Sequence, residues 1–304
     1  PLWRNCEPHH AGKGKGLRAE MEGFLDGADS AYNWGRDEAQ QRVTAMIHRR
    51  RKDAIFEAFA NSAPWWMTKS GCVAGHKDAL QDNLREDCYT VFARYLTDVC
   101  LYFKEKYGIT FRTLEPFNEG MTDYWYRSGS QEGCHFSPKA QVEFLKTLYP
   151  MMQERGMETV IAASDETDVA QSAENFMYYK QADALKYIGQ WNTHTYSGSD
   201  NDRAKLRRLT AENGIKLWQS ETGAGGKGLH GNLMMAQRLI DDIRILQPSA
   251  WLDWQYVEEN YDQWSLVACD AQWRTYRRHK NSYVREQSSR FIPAGDRWLT
   301  VDSR

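Results

Sequence analysis

The chain has 304 residues, of which 41% are hydrophobic and 26% charged, so it is globular and can hold one α/β barrel or two ordinary domains. Its net charge of −2 gives no electrostatic footprint for nucleic acid or for an anionic membrane surface. No apolar segment approaches the roughly 18 residues of a membrane span. Aromatic residues make up 13%, which suits either a core rich in large rings or exposed platforms for the apolar faces of sugars.

Strand-like apolar runs alternate with helical patterns along the chain. The first 35 residues read as a long loop, in which His9 and His10 lack suitably spaced partners, so we expect no metal and no cofactor. Strands are predicted to start near residues 54, 112, 159, 190, 216 and 250. Helices are predicted over 37–50, 86–107, 137–155, 169–181, 182–187, 202–213 and 233–246. Six consecutive strand–helix units predict a parallel sheet. The dinucleotide motif G-x-G-x-x-G does not follow the first strand, which counts against a dinucleotide-binding fold.

The six cysteines form no C-x-x-C pair, which argues against a zinc ribbon or a thioredoxin-like motif. Cys88 and Cys100 fall within helical patterns and are interpreted as buried thiols. Cys72 and Cys134 lie in two glycine-containing loops and are candidates for a disulfide. Such a bond would fit an extracellular enzyme.

Polar side chains follow the predicted strands where each strand ends. The carboxyl ends of parallel strands meet at one edge of a sheet or at the mouth of a barrel, so these residues are expected to share one cleft. They are Asn61, Asn118, Glu119, Asp165, Glu166, His194, Tyr196, Glu221, Trp254 and Gln255.

Two of these carboxylates suffice for cleavage of a glycosidic bond. One must protonate the leaving oxygen, which calls for a raised pKa, and the other must attack the anomeric carbon or position a water. The amide of Asn118, beside Glu119, could hold the sugar 2-hydroxyl. His194 and Tyr196 are predicted to hydrogen-bond Glu221 and keep it ionised. A retaining mechanism further predicts a carboxyl separation of roughly 5–5.5 Å.

Together these motifs resemble glycoside hydrolase family 30, and most of all its endo-β-1,6-galactanase-like members. The motifs occur in order as Phe59–Met67, Leu114–Glu119, Ser164–Glu166, Asn192–Tyr196, Trp218–Glu221 and Trp251–Gln255. The resemblance implies a (β/α)8 TIM barrel of the clan A type with an attached β-sandwich, and retaining hydrolysis. It implies Glu119 as acid/base and Glu221 as nucleophile. The resemblance also implies Asn61, Trp65, Tyr196 and Trp254 as substrate-binding positions, and the strand-end argument adds Asn118 and His194. The loops of Cys72 and Cys134 also resemble those of the galactanase group.

The family's first two strands have no counterpart in the sequence. We therefore expect residues 1–285 to form an N-terminally incomplete catalytic barrel, and residues 286–304 to start a β-sandwich with a strand near Arg290. The expected activity is endo-β-1,6-galactanase on a β-linked oligo- or polysaccharide. Alternatives are a β-1,6-glucanase, a xylanase, a glucosylceramidase-like enzyme or a non-catalytic carbohydrate-binding barrel. The protein is expected to be a secreted monomer that binds no nucleic acid, although no signal peptide is visible.

Overall fold

Strands and helices alternate through residues 38–221 because short apolar runs are separated by amphipathic segments with clear end signals. The computed structural model describes residues 23–129, 131–223, 228–259, 264–270 and 272–297. Within these ranges no helix combines the length and the apolar character needed to cross a membrane. Two compact units adjoin in sequence between Trp218 and Gln219.

The first unit contains the predicted strand–helix repeat. Its elements are α1 (Glu38–Arg50), β1 (Glu57–Phe59), α2 (Tyr89–Tyr107), β2 (Thr113–Glu115), α3 (Pro138–Glu154), β3 (Val160–Asp168), α4 (Val169–Gln181), β4 (Gln190–Ser197), α5 (Asp200–Glu212) and the start of β5 (Lys216–Glu221). Short 3-10 turns occupy Trp65–Met67, Glu86–Cys88 and Leu185–Tyr187. The strand order is β1-β2-β3-β4-β5, and the pairs from β1 to β4 are parallel. This arrangement confirms the predicted α/β class.

Helix ends in this unit follow the sequence signals. Ser137 accepts a hydrogen bond from the Ala140 N–H, and Pro138 occupies the first helical position of α3. Gly108 ends α2 with a φ of 67°, the left-handed conformation that glycine adopts without a steric penalty. Large buried side chains pack between the helices and the sheet, among them Phe92 on α2, Phe144 on α3 and Trp191 on β4.

The sheet also carries polar side chains that are half-buried, as at Glu57, or fully buried, and the apolar runs did not predict them. Glu57 on β1 accepts hydrogen bonds from Asn192 Nδ2 at 3.0 Å and Gln190 Nε2 at 3.2 Å, both on β4. Glu115 on β2 is fully buried, and burial raises its pKa well above the ordinary value. These groups form a polar layer inside the unit.

The second unit contains α6 (Gly228–Asp241), which continues as a π-helical turn over Asp242–Leu246, and α7 (Lys280–Ser289). Strands β6 (Val257–Glu259), β7 (Val267–Asp270) and β8 (Thr275–Arg278) form a sheet in that order. β6 and β7 are parallel, whereas β7 and β8 are antiparallel. The sequence patterns did not predict this sheet or α7.

Two predicted strands of the second unit differ in the structure. The strand predicted over 250–255 is reduced to one parallel bridge between Gln219 and Trp251. Residues 290–297 form turns where a strand was predicted, and residues 298–304 lie outside the described ranges. The boundary between a barrel at 1–285 and a sandwich at 286–304 therefore stays a prediction.

The predicted pairing of Cys72 with Cys134 is wrong. Cys72 is disulfide-bonded, whereas Cys134 is a free thiol. The two loops do lie together, since the Gly133 N–H donates to the Val73 carbonyl at 2.8 Å. The Cys134 sulfur is fully buried and lies beside the His135 carbonyl, 3.8 Å away, so adjacent loops do not bring these two sulfurs together. Cys88 and Cys100 are buried free thiols, as predicted.

Candidate active site

The backbone of Glu119 is fixed by an unusual number of hydrogen bonds for a residue in a loop. Glu119 follows β2 and has a φ of 50°. Its carbonyl accepts from the Thr122 N–H at 3.2 Å, from Thr122 Oγ1 at 3.0 Å and from Trp125 Nε1 at 3.0 Å. Its N–H donates to the Asp165 carbonyl at 2.8 Å. The turn after β2 therefore holds the side chain in one position before any ligand binds.

The carboxyl group of Glu119 is held at both oxygens. Oε1 lies 3.1 Å from Nδ1 of His194, which is fully buried on β4. Oε2 accepts a 2.6 Å hydrogen bond from the Tyr124 hydroxyl, which lies 3.1 Å from Thr167 Oγ1. The other imidazole nitrogen of His194 lies 3.3 Å from Asp165 Oδ1. His194 thus bridges two carboxylates at the ends of β2 and β3.

Opposing effects set the pKa of Glu119. Burial raises it, because desolvation penalises the carboxylate. The hydrogen bond and charge of His194, with hydrogen bonds from Tyr124 and Thr167, outweigh burial and lower the pKa below its ordinary value. The sequence argument expected a raised pKa here, because it did not place an imidazole against this carboxyl.

Glu166 is also buried near this turn, but its contacts are structural. Its carboxyl accepts hydrogen bonds from the Met121 N–H at 2.9 Å, Gln141 Nε2 at 3.1 Å and Asn175 Nδ2 at 2.7 Å. Burial raises its pKa to about 7. Glu166 therefore anchors the turn after Glu119 to α3 and α4.

The remaining predicted residues of the first unit lie at strand ends or just beyond. Asn61, past β1, is buried and donates from Nδ2 to Glu132 Oε1 at 2.8 Å. Asn118 is buried, and its side-chain oxygen has no hydrogen-bond partner among the described residues. Trp65 is half-buried in the 3-10 turn. Tyr196 is half-buried, with its ring centroid 5.8 Å from that of His194.

Two predicted site residues belong to the second unit. Glu221 is the last residue of β5 and is half-buried. Trp254 is half-buried, and its N–H donates to the Thr222 carbonyl at 2.7 Å. Glu221 therefore ends a strand, as predicted, whereas Trp254 lies beyond a single bridge at Trp251 where a longer strand was predicted.

Tyr124, Thr167 and Trp125 were not predicted from the sequence, although Tyr124 and Trp125 donate hydrogen bonds to Glu119 and Thr167 lies against the Tyr124 hydroxyl. Tyr124 and Trp125 lie five and six residues past Glu119 in a loop without periodicity, so only the clustering of aromatic residues there was informative. The contact of the His194 imidazole with Glu119 was not predicted either, and the predicted hydrogen bond of His194 to Glu221 stays a prediction. Only the folded positions of β2 and β4 reveal that contact.

Sequence comparison identifies the family. The model for O-Glycosyl hydrolase family 30 matches residues 9–267, well over half of the chain. The chain belongs to this family. The family 30 resemblance inferred from the strand-end motifs is thereby confirmed.

Two curated family relatives share sequence with this family 30 chain. An endo-β-1,6-galactanase of Hypocrea rufa is 32% identical over 294 residues, covering 93% of this chain and 58% of the relative. An exo-β-1,6-galactobiohydrolase of Bifidobacterium longum is 28% identical over 254 residues, covering 68% of this chain and 16% of the relative. The chain thus spans little more than half of the galactanase.

Solved structures agree with the family 30 fold. A conserved exported protein from Bacteroides fragilis superposes with a TM-score of 0.78 at 20% identity, covering 93% of this chain and 67% of that one. The catalytic domain of xylanase C from Talaromyces cellulolyticus gives a TM-score of 0.70 at 19% identity, covering 88% and 62%. At these identities the likeness establishes the fold, an α/β barrel of the glycosidase type.

Proposed function

We propose that this chain is a retaining β-glycosidase acting on β-1,6-linked galactan, with Glu119 as acid/base and Glu221 as nucleophile. Membership of family 30 supports hydrolysis of a glycosidic bond. Both curated relatives carry β-1,6-galactan-cleaving names. The observation that carries the proposal is the Glu119 carboxyl, fixed at both oxygens by His194 and Tyr124 at a strand end.

In the first step the Glu221 carboxylate attacks the anomeric carbon, and the bond to the leaving oxygen breaks. Glu119 gives that oxygen a proton, so a glycosyl-enzyme and a neutral alcohol result. In the second step Glu119 takes a proton from water, whose oxygen displaces Glu221 with net retention. Between the two steps Glu119 is ionised, and the His194 imidazole, 3.1 Å from Oε1, stabilises that carboxylate until it accepts the proton of water.

Asn118 is proposed to hold the sugar during both steps. Its buried side-chain oxygen lacks a partner among the described residues, and such an acceptor is costly unless a ligand satisfies it. A sugar hydroxyl would supply the missing donor. Asn61, Trp65, Tyr196 and Trp254 are proposed to complete the subsite for the same sugar.

Azide rescue of truncated variants tests the two roles. Glu221→Ala should lose turnover, and azide should restore it by attacking the anomeric carbon directly, which yields the inverted glycosyl azide. Glu119→Ala should still release an activated aryl leaving group, and azide should then give the glycosyl azide with retention. Glu105→Gln, an exposed carboxylate change on α2, is the matched control. Undiminished cleavage by Glu221→Ala would reject the assignment.

Product release from several polymers tests the substrate. β-1,6-Galactan should be cleaved faster than β-1,6-glucan or xylan, and NMR of the first product should show the retained anomer. A higher rate on glucan or xylan rejects the galactanase assignment. Sugar binding without any cleavage would instead support a carbohydrate-binding barrel.

An extracellular location forms part of the proposal. The disulfide at Cys72 supports it, because such bonds persist in oxidising compartments. Detection of the protein in culture medium with Cys72 oxidised tests this point. Detection only in the cytoplasm, with a reduced Cys72 thiol, contradicts it.

A further inference from the structure

A cavity of about 470 Å³ lies at the surface of the first unit, next to the turn that carries Glu119. Its walls come from the loop after β2, the end of β3 and the first turns of α4. The side chains used in the argument are Asp123, Tyr124, Thr167, Asp168, Gln171 and Glu174. The mechanism proposed above uses none of these groups in a chemical step.

Two of the lining residues connect the cavity to the Glu119 carboxyl. The Tyr124 hydroxyl donates to Glu119 Oε2 at 2.6 Å and lies 3.1 Å from Thr167 Oγ1. The other oxygen, Oε1, faces the buried imidazole of His194. Oε2 is therefore the oxygen on the cavity side. Glu119 does not itself line the cavity, and the Tyr124 side chain lies between Oε2 and the cavity wall. A leaving group protonated from Oε2 would therefore extend past Tyr124 into the cavity.

The ionisable side chains with charge at the cavity wall are acidic. None of the ten described residues that line it is basic. Asp123 and Glu174 are exposed at its surface. Asp168 Oδ1 accepts the N–H groups of Ala170 and Gln171 at 2.7 and 3.0 Å, so its carboxylate is fixed at the start of α4. Such a site attracts hydroxyl donors and repels anions.

We propose that this cavity is the leaving-group subsite, and that Asp123 and Glu174 make it select neutral sugars over acidic ones. The inference rests on the proposed role of Glu119. Tyr124 contacts the leaving group in this subsite and also positions Oε2. Asp168 contributes negative charge at a fixed position, because its carboxylate accepts hydrogen bonds from the amides at the start of α4.

The test uses galacto-oligosaccharides of equal length whose reducing end is either reduced to an alditol or oxidised to an aldonate. Both ends are open-chain, so the pair differs mainly in one negative charge on the leaving group. The full chain should show a lower kcat/KM for the aldonate. In Asp123→Asn/Glu174→Gln the ratio of kcat/KM for the alditol to kcat/KM for the aldonate should fall by about three- to tenfold. This is the size expected when two exposed like-charge contacts are removed. High salt should reduce the discrimination of the unaltered chain.

A matched double variant, Glu105→Gln/Glu154→Gln, removes two exposed carboxylates that do not line the cavity and should leave the ratio unchanged. Equal kcat/KM for both ligands, or discrimination that persists in Asp123→Asn/Glu174→Gln, overturns the inference. NMR titration of the same two ligands measures the ratio of Kd values without turnover. Selective binding without cleavage would support the subsite and reject the proposed function, whereas unselective binding would reject the subsite.

Discussion

Gly133 determines where Trp125 lies, and Trp125 in turn supports Glu119. A Cβ atom at position 133 would lie 2.0 Å from Trp125 Cδ2, whereas ordinary contact begins near 3.4 Å. The indole of a Gly133→Ala variant must therefore move by about 1.4 Å. Trp125 is only 3% exposed and donates from Nε1 to the Glu119 carbonyl at 3.0 Å. A displacement of this size breaks that hydrogen bond.

The expected loss of stability in Gly133→Ala combines two contributions. Overpacking of a buried ring costs about 1–3 kcal/mol. Leaving the buried indole N–H without its acceptor costs roughly 1–3 kcal/mol more. The sum is about 2–6 kcal/mol of unfolding free energy, measured by urea denaturation. Backbone strain plays no part, since Gly133 does not have a positive φ.

The same variant should lose activity, because the Glu119 carbonyl loses one of its three hydrogen-bond donors and keeps only the two from Thr122. A misplacement of the carboxyl near 1 Å would cost on the order of 100-fold in kcat/KM, which sets the upper end of the expected loss. Gly35→Ala is the control, since a Cβ there meets only Asn33 Oδ1 at 3.3 Å. The reasoning is refuted if Gly133→Ala loses less than about 1 kcal/mol and keeps full activity.

Three further predictions concern titration and cysteine chemistry. Tyr124→Phe removes a hydrogen bond that favours the ionised carboxyl of Glu119, so the pKa of Glu119 rises. If Glu119 is the acid/base, as proposed, the alkaline limb of kcat/KM moves to higher pH. Tyr126→Phe, an exposed neighbour, should leave the limb in place, and a downward shift in Tyr124→Phe contradicts the argument. Burial raises the pKa of Glu57 to about 7, so the contribution of Glu57 to the free energy of unfolding falls as pH rises from about 4.5 to 7. Glu57→Gln should therefore flatten the pH dependence of stability in urea denaturation at a series of pH values. An unchanged pH dependence would contradict this expectation. Alkylation of the denatured, unreduced protein should modify Cys134 and spare Cys72, and a peptide map with both labelled would disprove the disulfide.

Periodicity and end signals predicted most of the first unit. β5 matches its predicted bounds of 216–221, and the Ser137-Pro138 and Gly108 signals mark true helix ends. β1 and β2 are shorter than predicted because pairing with a neighbouring strand, rather than apolar character, decides where a strand ends. The sheet of β6, β7 and β8 escaped prediction because its strands are only three or four residues long and β8, Thr275–Arg278, is polar and exposed.

The candidate site was predictable as a set of residues but not as a set of contacts. Strand-end position identified Glu119, Asp165 and His194, since parallel strands end at a common edge. It could not show that His194 pairs with Glu119, because that depends on strand register and on side-chain direction. Tyr124 was missed because it lies in an aperiodic loop, where spacing carries no structural information.

Asp165 connects the ends of three neighbouring strands at the candidate site. Its carbonyl takes the N–H of Glu119, its carboxylate lies against His194, and His194 returns to the Glu119 carboxyl. Each of these three residues therefore contacts the other two across the ends of β2, β3 and β4. A change at any one of these residues therefore disturbs the other two. Moving Glu119 while keeping its spacing from His194 would require redesign of all three strand ends.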